Sequence, residues 1–503
     1  MSFPAARFVP LGLSVIAGCV LPLAFPPFNW AWVYWLIWPL VIHLLDTAPK
    51  DRRVRHGAWI GYGFGIGQFA VGLSWIGNAF QVNPAVFGWL EPIALIAIAL
   101  GFAIFPALSC AVAMVFWQKH PSRLAVLALA WIAAEWLRGH ILTGFPWNLV
   151  GLAFVATDRS LQIDALIGPY GLSILAVLIG SAPILLFDRP LPWRSFLALA
   201  SLLPIVMVYG AWRLSRPEPP SPGIQLRIVQ PDMPEPAHHD LAFVRTEFQR
   251  LVEMTKEPGA FDLALWPEAS VFAVLDQQKE ALDAIAQAIG PDRLVLTGTF
   301  RVAPEGQFYN SIDVVNGSGT VIASYDKAHL VPFGEYLPLR QAFGALGLHG
   351  LAENMPGGMA EGPGIQTISL DHLPPFSPLV CYEILFSGEV IAPKAPRARW
   401  IANVTNDDWF GQSIGPHQHF AQARLRAVEE GVPVARAANS GISALVDAKG
   451  RVKSQLDLGT KGILDAELPA ALDPPLDSRG PIWLVLALLC ALWPALVQMK
   501  RRF

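Results

Sequence analysis

Apolar segments follow one another from Phe8 to Trp212, each near the roughly 20 residues a helix needs to cross about 30 Å of hydrocarbon. A backbone inside a bilayer must satisfy its amides within its own segment, so such stretches fold as helices. Seven spans are expected, at about 8–25, 27–45, 57–78, 86–117, 122–139, 164–187 and 194–213, with an eighth at about 481–498. The fourth is long enough to tilt or break. The first reads as a retained span, since more hydrophobic segments follow it and no clear small-residue cleavage site does. Composition agrees, with 53% hydrophobic residues, 15% charged, and 18 Trp to populate two interfaces. A net charge of −3 offers no basic surface to hold a polyanion, which argues against nucleic acid as a partner.

Loop charge sets the orientation. Lys50, Arg52, Arg53 and Arg55 follow the second span, Lys119 and Arg123 the fourth, and Lys500, Arg501 and Arg502 end the chain. By the positive-inside rule these loops are cytoplasmic. The loop GNAFQVNP after the third span has no Lys or Arg, and counting crossings puts both termini inside and residues 214–480 outside. Arg138 and Arg159 make the loop after the fifth span a weaker vote.

Four regions result: a helical membrane domain at 1–213, a Pro-rich linker at 214–223, a domain of soluble α/β composition at 224–480, and a last span with a basic tail at 481–503. The third region is large enough for its own core. Its segments IQLRIVQ, FDLALWP, RLVLTGTF, FYNSIDVVN, TVIASYD, FSPLVCYE, RWIANVTN and GISALVDAKG read as strands. Leu241, Val244, Phe248, Leu251 and Val252 fall at helical spacing behind a capping Asp240, and Gln418 to Glu430 reads as a second helix.

Cys19, Cys110 and Cys490 sit in apolar runs, which leaves Cys381 without a disulfide partner in the polar region. Cys381 belongs to one of three strings, WPEAS, YDKAHLVPFGEYLP and VCYEILF, that place Glu268, Lys327 and Cys381 where a buried strand gives way to a turn. Residues at strand ends project from a rigid scaffold into a crevice. A thiol of ordinary pKa, about 8.5, is mostly protonated at neutral pH, so a nucleophilic cysteine needs a base or a cation beside it. Glu268 suits the first role and Lys327 the second. The ammonium and the Tyr382 amide could also receive negative charge developing on a carbonyl oxygen. The adjacent His238 and His239 lack an Asp, Glu or Cys at ligand spacing, and no metal or other cofactor is expected.

In these strings the chain resembles the nitrilase superfamily, with its Glu, Lys and Cys in this order, and the match continues through Asn403–Gly411 and Gln418–Arg426 to Arg436. The resemblance implies an α/β domain built as a four-layer αββα sandwich. A nitrilase-like domain set between about seven spans and one is similar to the apolipoprotein N-acyltransferase family, whose FGEYLP and Cys-Tyr-Glu strings stand here at Phe333–Pro338 and Cys381–Glu383. That likeness implies Glu335, Tyr382 and Glu383 as further active-site residues, and a bacterial inner-membrane enzyme, acting as a monomer, with a periplasmic catalytic domain. It implies ping-pong transfer of an acyl chain from a membrane phospholipid, through a cysteine thioester, to the α-amine of a diacylglyceryl apolipoprotein. His239 and His417 stand where the family usually has aromatics, at expected substrate contacts.

A site working on lipid-anchored substrates has to open at bilayer level. Leu337, Leu339, Phe343, Leu346, Leu348 and Leu351, followed by GGMAEGPG, suit a mobile arm dipping toward lipid, with Phe343 and Leu346 as substrate contacts; the same leucines could instead pack a short core helix. Two other functions stay open on the residues alone. The same three groups serve a membrane-tethered amidohydrolase that passes the acyl group to water. An outer domain on a transporter or receptor could also bind without catalysis, although Glu91 and Glu135 are the main ionisable groups in the spans and form no obvious ion path.

Overall fold

The computed structural model describes the chain except for residues 1–4, 234–240, 337–357, 394–395, 477–483, 485–486 and 489–503. Two compact units emerge, one of Met1–Pro217 with Ser413–Ala421 and Pro474–Phe503, the other of Glu218–Gln412 with Gln422–Asp473.

The first unit is helical. Four of its helices are long and apolar enough to cross a membrane by length and composition: Pro84–Val115, Ser122–Thr143, Asp164–Phe187 and Trp193–Ser215. The segments expected at 27–45 and 57–78 form Ala31–Asp46 and Lys50–Gly72, bent by 103° at the break between them. The segment at 8–25 gives a shorter apolar helix, Val9–Ala24, and the one at 481–498 lies outside the described residues but for Leu484, Ala487 and Leu488. Four such helices, or five with the bent pair as one span, are therefore found among the described residues, and eight is not reached.

Lipid tails give helices no hydrophobic reason to associate, so close packing has to do it. A Cβ added at Gly61 would stand 2.1 Å from the Pro106 carbonyl oxygen, and one at Gly67 2.1 Å from that of Val15, so the helix Arg53–Gly72 lies backbone to backbone against its neighbours on two sides. Trp131 meets Trp38 edge-on at 4.9 Å and Phe64 at 5.5 Å in the centre. At one end, Arg123 reaches both oxygens of Asp188 at 2.9 Å and Asp46 at 3.4 Å, while the Trp117 indole donates to Asp46 at 2.8 Å. The indole of Trp147 donates to Gln418 at 2.8 Å and ties in the stretch Ser413–Ala421.

The second unit holds eleven strands: β1 Gln225–Gln230, β2 Leu263–Leu265, β3 Leu294–Val302, β4 Phe308–Asn316, β5 Val321–Asp326, β6 Phe376–Val380, β7 Trp400–Thr405, β8 Val434–Ala438, β9 Ser443–Val446, β10 Val452–Leu456 and β11 Gly462–Glu467. They form a six-stranded sheet, β11-β1-β2-β3-β4-β5, and a five-stranded one, β10-β9-β8-β7-β6. Strands β1, β2 and β3 run parallel, as do β6, β7 and β8, and the outer strands pair antiparallel.

Side chains alternate along a strand, and the two faces sort accordingly. Leu226, Ile228, Leu263, Leu265, Leu296, Ile312 and Val314 turn inward to meet Phe376, Val380, Trp400, Ala402, Val404, Ala435 and Ala437 of the other sheet. Their neighbours Val229, Ala264, Trp266, Val295 and Val315 face outward, onto Leu251 and Val252 of the helix Leu241–Thr255 and Ile285 and Ile289 of the helix Lys279–Ile289. The helix Ile414–Glu430 supplies buried Ala423, Leu425, Ala427 and Val428 to this unit. This is the αββα sandwich expected. All eight expected strands are present; β8, β10, β11 and the helix Lys279–Ile289 add to them.

Candidate active site

Glu268 follows β2, Lys327 follows β5 and Cys381 follows β6. Parallel strands release their C-terminal residues at one edge, where a crevice opens. The Glu268 segment lies directly on β3, and only glycine permits it: a Cβ at Gly298 would stand 2.5 Å from the Glu268 Cα.

Lys327 is 1% exposed, and its ammonium sits 2.9 Å from Glu335 Oε1 and 3.3 Å from Glu268 Oε1. The Asn310 amide, on β4, donates to the same two oxygens at 2.8 Å each. The remaining oxygens accept backbone N–H groups, Glu268 from Asn406 at 2.9 Å and Glu335 from Val331 at 2.8 Å. Burial alone would lower the lysine pKa, but the carboxylates of Glu335 and Glu268 outweigh it and hold the ammonium more firmly protonated than an ordinary lysine.

Cys381 has φ 51°, a left-handed conformation that costs a non-glycine residue free energy and recurs where a nucleophile is thrust out of a sheet. Glu383 holds that turn. Fully buried, it accepts the Val380 N–H at 2.7 Å on one oxygen, and on the other the Tyr325 hydroxyl at 2.7 Å and the amides of Ala328 at 2.7 Å and His329 at 3.2 Å. It thus pins the turn bearing Cys381 to the segment just after Lys327. Tyr382 is buried edge-on against Phe386 at 5.2 Å. Burial pushes the Cys381 thiol well above its ordinary pKa; the Glu268 and Asp407 charges push the same way, against Lys327 and a hydrogen bond with the Thr405 hydroxyl. The sulfur therefore rests as a thiol, and any attack by it would need a neighbouring base to take its proton.

Glu268, Lys327 and Glu335 are thus in direct contact, Cys381 is coupled electrostatically to the first two, and Glu383 ties the turns together. His417 is half-buried in the stretch Ser413–Ala421 of the helical unit. His239, Phe343, Leu346 and residues 337–357 of the expected arm lie outside the described residues. Asn310 went unnoticed in the sequence, where it sits inside the strand FYNSIDVVN; its only signal is an amide in an otherwise apolar alternation.

The profile of the apolipoprotein N-acyltransferase N-terminal domain matches residues 17–182, and that of carbon-nitrogen hydrolase matches residues 228–472. The apolipoprotein N-acyltransferase of Rhodopseudomonas palustris is 37% identical over 97% of this chain and 95% of that protein. This chain belongs to the apolipoprotein N-acyltransferase family. The corresponding enzyme of Bradyrhizobium diazoefficiens is 38% identical over 93% of this chain and 90% of its own. Among solved structures, a carbon-nitrogen hydrolase superfamily protein from Xanthomonas campestris is 18% identical, with a TM-score of 0.37, covering 52% of this chain and 96% of that one.

Proposed function

We propose that Cys381 is the acyl carrier of this apolipoprotein N-acyltransferase, with Glu268 as base and Lys327 as oxyanion partner. Glu268 takes the thiol proton as sulfur attacks the acyl ester of a phospholipid. The C–S bond forms, the ester C–O bond breaks, and the proton passes to the departing lysophospholipid alkoxide. The thioester keeps an electrophilic carbonyl. The α-amine of a diacylglyceryl apolipoprotein attacks it, Glu268 receives the amine proton, and the proton returns to sulfur as the amide forms. Lys327 and the Tyr382 N–H face the developing oxyanion, where each such donor is worth roughly 3–4 kcal/mol.

The observation that carries this reading is the buried ammonium of Lys327 between Glu268 and Glu335, beside a thiol on a strained turn. Glu335 and Asn310 aim the pair, and Glu383 aims Cys381. Phe343, Leu346, His239 and His417 are assigned to substrate contacts, in a monomer.

The membrane domain is assigned to 1–213, the linker to 214–223, a periplasmic catalytic domain to 224–480 and a final span and cytoplasmic tail to 481–503, eight spans in the bacterial inner membrane with both termini inside. Support for this orientation comes from Arg123, Asp46, Asp188 and Trp117, which join four span ends at one level near the basic loops, and from Arg53 donating to the Val115 carbonyl at 3.0 Å.

Intact-mass measurement after incubation with phospholipid tests the site. The wild-type protein should gain one hydroxylamine-labile acyl chain and release lysophospholipid, and Cys381→Ala should do neither. Acylation of Cys381→Ala would refute the assignment, and ammonia release from a small amide without lysophospholipid would favour a hydrolase.

A further inference from the structure

A second polar array lies beside the sulfur, on strands β7 and β8 and the turn after β7. Thr405 ends β7, next to β6 in the sheet, and Val404 pairs with Val380, the residue before Cys381. The Thr405 hydroxyl hydrogen-bonds the Cys381 sulfur. It also donates to Asp407 Oδ1 at 2.9 Å, and an oxygen of that carboxylate lies within 4.8 Å of the sulfur. Arg436, on β8, donates to Asp407 Oδ2 at 2.7 Å, to Asn403 Oδ1 at 2.5 Å and to the Ile442 carbonyl at 3.2 Å. Asn403, Thr405, Asp407 and Arg436 are each no more than 1% exposed. A Cβ on Gly441 would stand 2.4 Å from Asp407 Oδ2, so the loop after β8 closes directly over the carboxylate.

A buried ion pair of this kind is costly to assemble and does little for net stability, so an array ending on a reacting atom calls for a chemical reason. The hydroxyl has one proton and two lone pairs. While that proton lies on Asp407, the oxygen presents a lone pair to the sulfur and can accept the resting S–H. Once the sulfur is a thiolate, rotation about the C–O bond turns the proton onto it. Asp407 tolerates the loss because Arg436 still holds its other oxygen. Thiolate character arises twice in the transfer: as Glu268 removes the thiol proton, and as the thioester C–S bond breaks under attack by the amine.

We propose that Thr405 is a further catalytic residue of the acyl transfer, a reversible hydrogen-bond partner of the Cys381 sulfur turned and held by the positioning residues Asp407 and Arg436. The assignment rests on Cys381 being the acyl carrier. It adds no bond to the reaction: the thiol proton still leaves to Glu268, and Thr405 keeps its own.

The test compares Thr405→Val, which keeps the shape and deletes the hydroxyl, with Thr405→Ser, which keeps the hydroxyl. The readout is single-turnover formation of the acyl-thioester on the full-length protein with phospholipid in mixed micelles. A hydrogen bond to a charged group predicts that Thr405→Val slows acylation about tenfold to a hundredfold at saturating phospholipid, with the half-saturating lipid concentration unchanged. Thr405→Ser should stay within about threefold of wild type, a rescue that a purely packing role for the Thr405 methyl would not give. Acylation by Thr405→Val within about twofold of wild type, or a serine variant as slow as the valine one, overturns the proposal. If the valine variant does not accumulate, Thr405→Ala replaces it, and a serine-to-alanine rate ratio below about two overturns the proposal equally. Cys381→Ala run alongside separates the two claims: persistent transfer there sinks the acyl-carrier assignment, whereas an inactive Cys381→Ala with a fast Thr405→Val sinks the Thr405 assignment alone.

Discussion

Asn310 gives the sharpest test of how the site is held together. Its amide offers one N–H to Glu268 and one to Glu335, both at 2.8 Å, and Lys327 reaches the same two oxygens. In Asn310→Ala the ammonium remains to separate the carboxylates, so the loss is close to one charge-assisted hydrogen bond, not two. At about 1.5–3 kcal/mol this slows acylation roughly 10- to 150-fold through misorientation of Glu268. Asn310→Asp should be worse. A third carboxylate at this range repels each of the others by about 6 kcal/mol at an effective dielectric near 20, so it must take up a proton or push Glu268 aside. The aspartate variant should therefore be slower than the alanine variant at pH 7.5 and recover part of the difference as pH falls toward 5 and the cluster gains a proton. The assay is stopped-flow or quenched acyl-thioester formation followed by intact mass, with thermal unfolding in detergent as the folding control. A folded Asn310→Ala acylating within twofold of wild type, or an aspartate variant faster than alanine at pH 7.5, would refute the reasoning.

Two other outcomes follow from charge. Glu268→Gln removes the base while burial still holds Cys381 as a thiol, so alkylation by iodoacetamide at pH 7.5 and acylation by phospholipid should both slow; alkylation at the wild-type rate would contradict Glu268 as the base. Asp313, on β4, is buried with one oxygen given to the Ser324 hydroxyl, and burial raises its pKa from 3.8 to about 6. A carboxyl whose folded pKa lies above its unfolded one is favoured protonated, so its contribution falls as pH rises between about 4 and 6. Asp313→Asn should thus stabilise the domain by about 1–3 kcal/mol at pH 7.5 and by nothing below pH 4, read from denaturation midpoints across pH; a uniform gain or a loss would rule this out.

The strands were legible because their inward and outward residues alternate, as in Leu226, Ile228 and Val229 of β1. Strand β8 was not. Its sequence VARAA places a full charge mid-strand, which by composition reads as surface, and its bonds to Asp407, Asn403 and the Ile442 carbonyl make that arginine tolerable inside. Apolar runs announced membrane helices, but length alone could not report the 103° bend that joins Ala31–Asp46 and Lys50–Gly72.

Local chemistry in the sequence decided the class of this protein: apolar stretches that water would reject, alternating strands, and three turn strings carrying Glu268, Lys327 and Cys381. What tertiary structure alone decided is which groups surround them. Asn310 reaches Glu268 across 42 residues and the Asn406 amide reaches it across 138, while Arg436 meets Asn403 across 33. Periodicity reports only a few turns of chain, whereas the sites of these hydrogen bonds are set by strand register and by glycines such as Gly298 and Gly441 that let one backbone lie on another.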